Sequence, residues 1–276
     1  MSLIAVIWDV RPEMFVFPDW MPLLAGRGVR WYGALFAASF VVGYMIMQKV
    51  FRREKIGDKV LDQLSTYMIV ATVVGARLGH CLFYEPEYYL ANPIEILKVW
   101  EGGLASHGAA IAIIIALFFF ARRQKKTTLW ILDRIVIVVA LAGFFIRMGN
   151  LMNSEIFGHI TSMPWGFQFV RAGDPALTAD PRHPTQIYEG FWYLATFFFL
   201  YWAYFKKSMG EKQPGFLFAV FLVSIFGSRF FIEFLKEPQV GFETSMTLNM
   251  GQWLSIPFVI AGVYLWFIGW QKTKKA

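Results

Sequence analysis

Seven stretches of this chain are long and apolar enough to read as membrane-crossing helices, and the loops between them alternate in charge. A spanning helix needs about 20 largely apolar residues. The runs are Trp31 to Gln48, Leu61 to Phe83, Leu104 to Ala121, Leu129 to Arg147, Ile187 to Phe205, Phe216 to Leu235 and Trp253 to Trp270. Lipid offers the main chain no hydrogen-bond partners, so segments of this kind fold as helices. The expected class is therefore an all-α polytopic membrane protein with seven transmembrane helices, one membrane-embedded domain over residues 1–276. Composition agrees, since 57% of the residues are apolar and only 16% charged, too greasy for an ordinary soluble domain.

Basic residues cluster in every second loop: Lys49, Arg52, Arg53, Lys55 and Lys59; Arg122, Arg123, Lys125 and Lys126; Lys206, Lys207 and Lys212; and Lys272, Lys274 and Lys275. Such loops are cytoplasmic by the positive-inside rule. An odd span number with a cytoplasmic C-terminus places the N-terminus outside. The same distribution accounts for the net charge of +7 without nucleic acid, because each cluster sits between apolar runs. Met1 to Val10 has too short an apolar core, followed by Arg11, to read as a cleavable signal peptide. Cys81 is the sole cysteine, which excludes an intrachain disulfide and a cysteine metal cluster.

The irregular sequence falls on the opposite side from the basic loops. Residues 154–185 are rich in Gly, Pro, Asp and Arg and read as a small exterior domain, with a strand or hairpin over Trp165 to Val170. Tyr84 to Glu101 reads as an interfacial segment, since tyrosines favour the headgroup level. Polar residues also gather at the outer ends of the runs: Tyr32; Arg77 and His80; His107; Arg147 and Asn150; His183, Gln186, Tyr188 and Glu189; Arg229 and Glu233. Ionisable groups at membrane depth are costly, usually pair with one another and mark a substrate path.

Each of these residues also has a plainer reading. Arg229 and Glu233 are four apart and suit an intrahelical ion pair. Gly75 and Gly79, flanking Arg77, suit close helix packing. His80 suits the interface, and His159 and Cys81 suit structural positions. His107 lies among Gly102, Gly103 and Gly108, where backbone can approach a ligand, which favours function. The densest cluster is Arg147, Asn150 and Glu155.

Arginines bind phosphate through a planar fork, histidine is the residue type that exchanges protons near neutrality, and neither His107, His183 nor the glutamates have metal-ligand spacing. The set suits anion handling at the outer leaflet. It fits a phospholipid headgroup transferase or a lipid phosphatase. An anion transporter would place its site near the midplane, often with repeat symmetry, and a retinal protein would want a lysine inside Trp253 to Trp270, where there is none.

The string Arg147-Met148-Gly149-Asn150-Leu151-Met152-Asn153-Ser154-Glu155, closed by Gly158, resembles the signature of the prolipoprotein diacylglyceryl transferases of bacterial inner membranes. That signature reads Gly-Arg-x-Gly-Asn-Phe-x-Asn-x-Glu-x-x-Gly; Arg147, Gly149, Asn150, Asn153, Glu155 and Gly158 match it, while Ile146 and Leu151 depart from its first glycine and its phenylalanine. Arg30 to Gly33, Gly75 to Gly79, Gly102 to Gly108, His183 to Glu189 and Arg229 to Glu233 resemble further family blocks. The resemblance implies transfer of the diacylglyceryl group of phosphatidylglycerol to the thiol of a lipobox cysteine, with glycerol 1-phosphate as second product. It implies no cofactor and no metal, and a monomer working with membrane lipid and a prolipoprotein signal peptide. Arg147 and Arg229 are then the expected phosphate ligands and His107 the candidate base. Tyr32, Asn150, Glu155, Gly158, Glu189 and Glu233 are expected at the substrate site, Glu233 by orienting Arg229.

Overall fold

The computed structural model describes residues 5–21, 26–99, 102–238 and 246–275. Met1 to Ile4, Glu101 and the side chains of Lys272, Lys274 and Lys275 lie outside the described residues. The chain is mostly helical, and among the described residues six helices are long and apolar enough to cross a membrane: α1 (Trp31–Arg53), α2 (Asp58–Phe83), α4 (Ser106–Arg123), α5 (Thr128–Met152), α8 (Phe216–Ile232, continued by a 3-10 turn to Leu235) and α9 (Met250–Lys275). A short α3 (Pro86–Ala91) and a 3-10 turn (Pro93–Leu97) follow α2, and α7 (Met209–Lys212) precedes α8. The seventh expected run is α6 (Thr185–Lys207), a 23-residue helix that falls outside the six. Its length suffices, but Tyr188, Trp192, Tyr193, Tyr201, Trp202 and Tyr204 replace aliphatic side chains and lower its mean hydropathy.

Four short strands among the described residues qualify the all-α expectation: β1 (Val6–Trp8), β2 (Glu13–Val16), β3 (Gly28–Arg30) and β4 (Phe167–Phe169). Strands β2 and β3 form an antiparallel hairpin, and β1 pairs in parallel with β4, Val6 opposite Phe167 and Trp8 opposite Phe169. The strand expected within Trp165 to Val170 is thus present, with an N-terminal partner that sequence did not suggest.

The chain divides into two compact units, residues 44–134 and the remainder. In the smaller unit α2 and α4 cross at glycine. A Cβ on Gly79 would lie 2.6 Å from Gly108 Cα, so this crossing admits no side chain. Arg77, 3% exposed, turns into the loop before α4 and donates to the carbonyls of Glu95 (2.6 Å), Ile96 (3.0 Å) and Gly102 (2.7 Å). The expectation of glycine packing here holds, and Arg77 has its own structural task. At the end formed by the last turn of α1 and the first of α5, Arg134 pairs with Glu54 at 2.8 Å, and Trp130 Nε1 donates to the same carboxylate at 3.0 Å.

In the larger unit α5 runs past Arg147 to Met152, so the helix does not break where its apolar run ends. The charge is tolerated inside the helix because its partners are close, as described below. The segment from Ser154 to Pro184 packs on the end of α5. Leu151, Phe157 and Phe169 form its buried core, flanked by Trp8, Phe167, Leu177 and Ile187. Leu151, one of the two departures from the family signature, is therefore a core residue, and its carbonyl accepts from Trp8 Nε1 at 2.9 Å. Next to it, the 157–159 segment runs beside the chain leaving α8: His159 N donates to Leu235 O at 2.8 Å, and Gly158 bridges Lys236.

Candidate active site

Three helices place the charged groups of the larger unit, and glycine sets their approach. A Cβ on Gly149 would sit 2.7 Å from the Tyr32 ring, and one on Gly190 would sit 2.7 Å from Met148 Cε and 3.5 Å from Arg147 Cβ. These two glycines let α1 and α6 close on the Arg147 turn of α5. Met250 and Gly251 open α9, and a Cβ on Gly251 would meet the Glu233 carboxylate at 2.5 Å. The glycine vacates the space that the carboxylate fills.

The result is one connected network. Asn153 Nδ2 and Asn150 Nδ2 donate to Glu155 Oε1 at 3.2 and 2.8 Å, and Asn150 Oδ1 accepts from Arg147 Nη1 at 3.1 Å. Arg147 Nε lies 2.6 Å from Glu189 Oε2, while Lys236 Nζ donates to Glu189 Oε1 at 2.9 Å and to Glu233 Oε2 at 3.0 Å. The Arg147–Glu189 approach is an ion pair without hydrogen-bond alignment, so Glu189 Oε2 remains a buried oxygen with no hydrogen bond among the described residues. Tyr193 lies against Arg147, and Tyr32 lies within electrostatic reach of Glu155 and Arg147.

Arg229 differs from its neighbours. Its Nε is buried and has no hydrogen-bond partner among the described residues; the nearest carboxylate oxygen, Glu233 Oε2, is 3.9 Å away. Its side chain is nevertheless 36% exposed, so the rest of the guanidinium has access to the surroundings. Glu233 meets Lys236 more closely than it meets Arg229, and the simple intrahelical pair read from the four-residue spacing is a loose contact here.

Tyr32, Arg147, Asn150, Glu155, Glu189, Arg229 and Glu233 thus share one neighbourhood. Gly158 lies where a Cβ would meet His183 Cβ at 2.8 Å and Thr185 Cγ2 at 2.9 Å, which accounts for the glycine by backbone packing. His107 belongs to the other unit. It is exposed in the first turn of α4, its ring beside Phe83 (5.4 Å) and Tyr84 (5.7 Å), with no hydrogen bond among the described residues. His80 contacts Glu85 at 3.6 Å, and His159 pairs with Glu237 at 2.9 Å; both sit at structural contacts.

The string after α5 is held in an unusual backbone. Ser154 and Ile156 have φ of +52° and +59°, a region that side chains, and β-branched ones most of all, rarely adopt. Residues from the start of α6 fix it: Gln186 Nε2 donates to Glu155 O at 2.7 Å and Thr185 Oγ1 to Ile156 O at 3.0 Å. Strain that neighbours over-determine is typical of functional sites, and here it aims Glu155. Just before α6, burial and then the nearby His159 lower the pKa of His183. The neutral ring suits Nδ1 as acceptor from the Tyr188 hydroxyl at 3.2 Å, which itself receives Trp165 Nε1 at 2.9 Å.

Lys236 and Tyr193 were not singled out from sequence. Both had a signal in spacing: Lys236 falls three residues after Glu233 and seven after Arg229, and Tyr193 four after Glu189, each on the face of a charged neighbour.

Fold and site together define a polytopic membrane protein with a buried network of paired arginine, lysine and glutamate side chains. A family model described as prolipoprotein diacylglyceryl transferase matches residues 22–268. Similar proteins include the phosphatidylglycerol–prolipoprotein diacylglyceryl transferases of Tolumonas auensis (49% identical, covering 88% of this chain and 93% of that protein) and Chloroherpeton thalassium (46%, covering 98% and 96%). That of Porphyromonas gingivalis is 46% identical over 94% of this chain and 93% of its own length. The chain belongs to the prolipoprotein diacylglyceryl transferase family.

Proposed function

We propose that this protein transfers the diacylglyceryl group of phosphatidylglycerol to the thiol of a lipobox cysteine in prolipoproteins, the first step of lipoprotein maturation. The relatives carry this activity in their names. The observation that carries the site assignment is the buried Nε of Arg229, without a hydrogen-bond partner among the described residues, beside a carboxylate network that already has its cations. A guanidinium left with an open donor in a desolvated place is a ready anion ligand.

In the reaction, the cysteine sulfur attacks the diacylglyceryl carbon that bears the phosphate oxygen. The C–S bond forms as the C–O bond breaks, and the electron pair leaves on the phosphate oxygen of glycerol 1-phosphate. Arg229 and Arg147 stabilise the charge that develops on that phosphate, a role in which preorganised donors act without reorganisation. His107 accepts the thiol proton. Asn150, Glu155, Tyr32 and Glu189 shape the headgroup site around Arg147, and Glu233 shapes it near Arg229.

The reading includes α6 as the seventh span and residues 1–276 as one membrane-embedded domain. The N-terminus and the segment 154–185 are exterior, the four basic clusters and the C-terminus cytoplasmic, and the reacting groups at the outer leaflet of a bacterial inner membrane. The protein acts as a monomer. Incubating the purified protein with phosphatidylglycerol and a lipobox peptide, then weighing the peptide, tests the function. The cysteine should gain the mass of a thioether-linked diacylglyceryl group; free phosphate or an exchanged headgroup without that gain overturns the reading.

A further inference from the structure

Three cations and two carboxylates make up the centre of the buried network: Arg147, Arg229 and Lys236 face Glu189 and Glu233. Glu155 is occupied by the amides of Asn150 and Asn153 instead. Two cations would suffice to balance two carboxylates. The extra one is a lysine whose side chain is 1% exposed, an expensive place for a compact, strongly hydrated ammonium. It is held there by the main chain, through the bridge to Gly158, and by both carboxylates at once.

The position of Lys236 decides what Glu233 does. Glu233 Oε2 accepts from Lys236 at 3.0 Å and stands 3.9 Å from Arg229 Nε, although the four-residue spacing suits a direct intrahelical pair. Glu189 is likewise shared, Oε2 facing Arg147 and Oε1 facing Lys236. With the lysine present, both carboxylates are engaged and Arg229 Nε stays open. Without it, Glu233 has a single cation within reach on its own helix, and that cation is Arg229.

We propose that Lys236 is a positioning residue: it takes Glu233 and Glu189 so that Arg229 remains free for the lipid phosphate. This rests on the reading of Arg229 as a phosphate ligand. Lys236 itself touches carboxylates, not phosphate, so its effect on the reaction passes through Arg229.

The test uses the full-length protein in detergent with equilibrium binding of labelled phosphatidylglycerol and steady-state transfer to a lipobox peptide. In K236M, lipid affinity should fall about tenfold or more, the scale of one charged hydrogen bond, with KM for the peptide unchanged. K236R, which keeps the cation, should retain most of the affinity. Two double variants separate positioning from mere charge balance. K236M/E233Q removes the carboxylate that would close on Arg229 and should bind lipid more tightly than K236M, though short of native because Glu233 also lines the site. K236M/E189Q restores the same net charge but leaves Glu233 free to close, and should gain nothing over K236M beyond what E189Q alone, which removes the carboxylate of Arg147, accounts for. Native affinity in K236M, or equal recovery in both double variants, overturns the proposal. So does failure of K236M/E233Q to recover when K236M is lost. Absence of thioether product from the native protein sinks the functional reading instead, and leaves the binding arms to be judged on their own.

Discussion

Arg77 and Arg229 are both arginines at helical positions in membrane-length helices, and they are used in opposite ways. Arg77 has spent its donors on the carbonyls of Glu95, Ile96 and Gly102, with its guanidinium over the Tyr89 ring. Arg229 keeps a buried Nε with no hydrogen-bond partner among the described residues, although a carboxylate stands on the same helix. A buried arginine that is fully engaged by main chain is architecture, because nothing remains for a ligand to take. One with a donor left open beside an otherwise engaged network is what our proposal assigns to the ligand. Donor accounting separates the two where charge and depth do not.

The largest effect should come from Arg229→Ala. Transfer of labelled lipid should fall about a thousandfold, as for removal of a preorganised donor at a developing anion, with the melting temperature close to native. Retained activity would erase the distinction between the two arginines. Arg77→Met should do the reverse: it strands carbonyls that the guanidinium satisfied, at a cost of about 3 kcal/mol in stability, read as a lowered denaturation midpoint in detergent. Lipid affinity of the folded fraction should stay near native, and a loss of affinity without loss of stability would place Arg77 at the substrate.

Gly251→Ala sharpens the comparison from the side of the carboxylate. A methyl group there would displace the Glu233 carboxyl carbon, now 2.5 Å from the ideal Cβ position, and should lower kcat/KM about tenfold through a rise in KM for lipid. The smallest effect should be that of His107→Gln. Near neutral pH transfer should drop only severalfold, because a thiol of pKa about 8.5 is already partly thiolate there. As pH rises through the range of a free thiol, about 8.5, the substrate supplies its own thiolate and the deficit should shrink. A deficit that does not change with pH would assign His107 to holding substrate instead.

The long helices were legible because membrane-length apolar runs carry a strong signal; the helix Asp58–Phe83, for one, covers the run read at 61–83. The same signal misjudged Arg147. Hydropathy sees a charge and ends the run, whereas the helix continues to Met152 because Asn150 and Glu189 meet the guanidinium. Strands β1 to β3 are three or four residues long, too short to show alternation, and β1 finds its partner far along the chain. Arg77's task could not be read at all, since its acceptors are backbone carbonyls that every residue possesses. Most of the cluster was readable as polar residues at common depth. The division of labour within it was not: that Lys236, rather than Arg229, takes Glu233 depends on a difference of less than 1 Å between 3.0 and 3.9 Å.

The bond from the Trp8 indole to the Leu151 carbonyl joins residues 143 apart in the chain. It sets a schedule for biogenesis. The N-terminal strand is made first and must wait, through the synthesis and insertion of α1, α2, α4 and α5, before its partner emerges, and closing so long a loop carries an entropic cost that only late contacts repay. Lys236 and Glu233 are made later still. A nascent chain therefore carries Arg147 and Glu189 before the residues that complete their charged network exist.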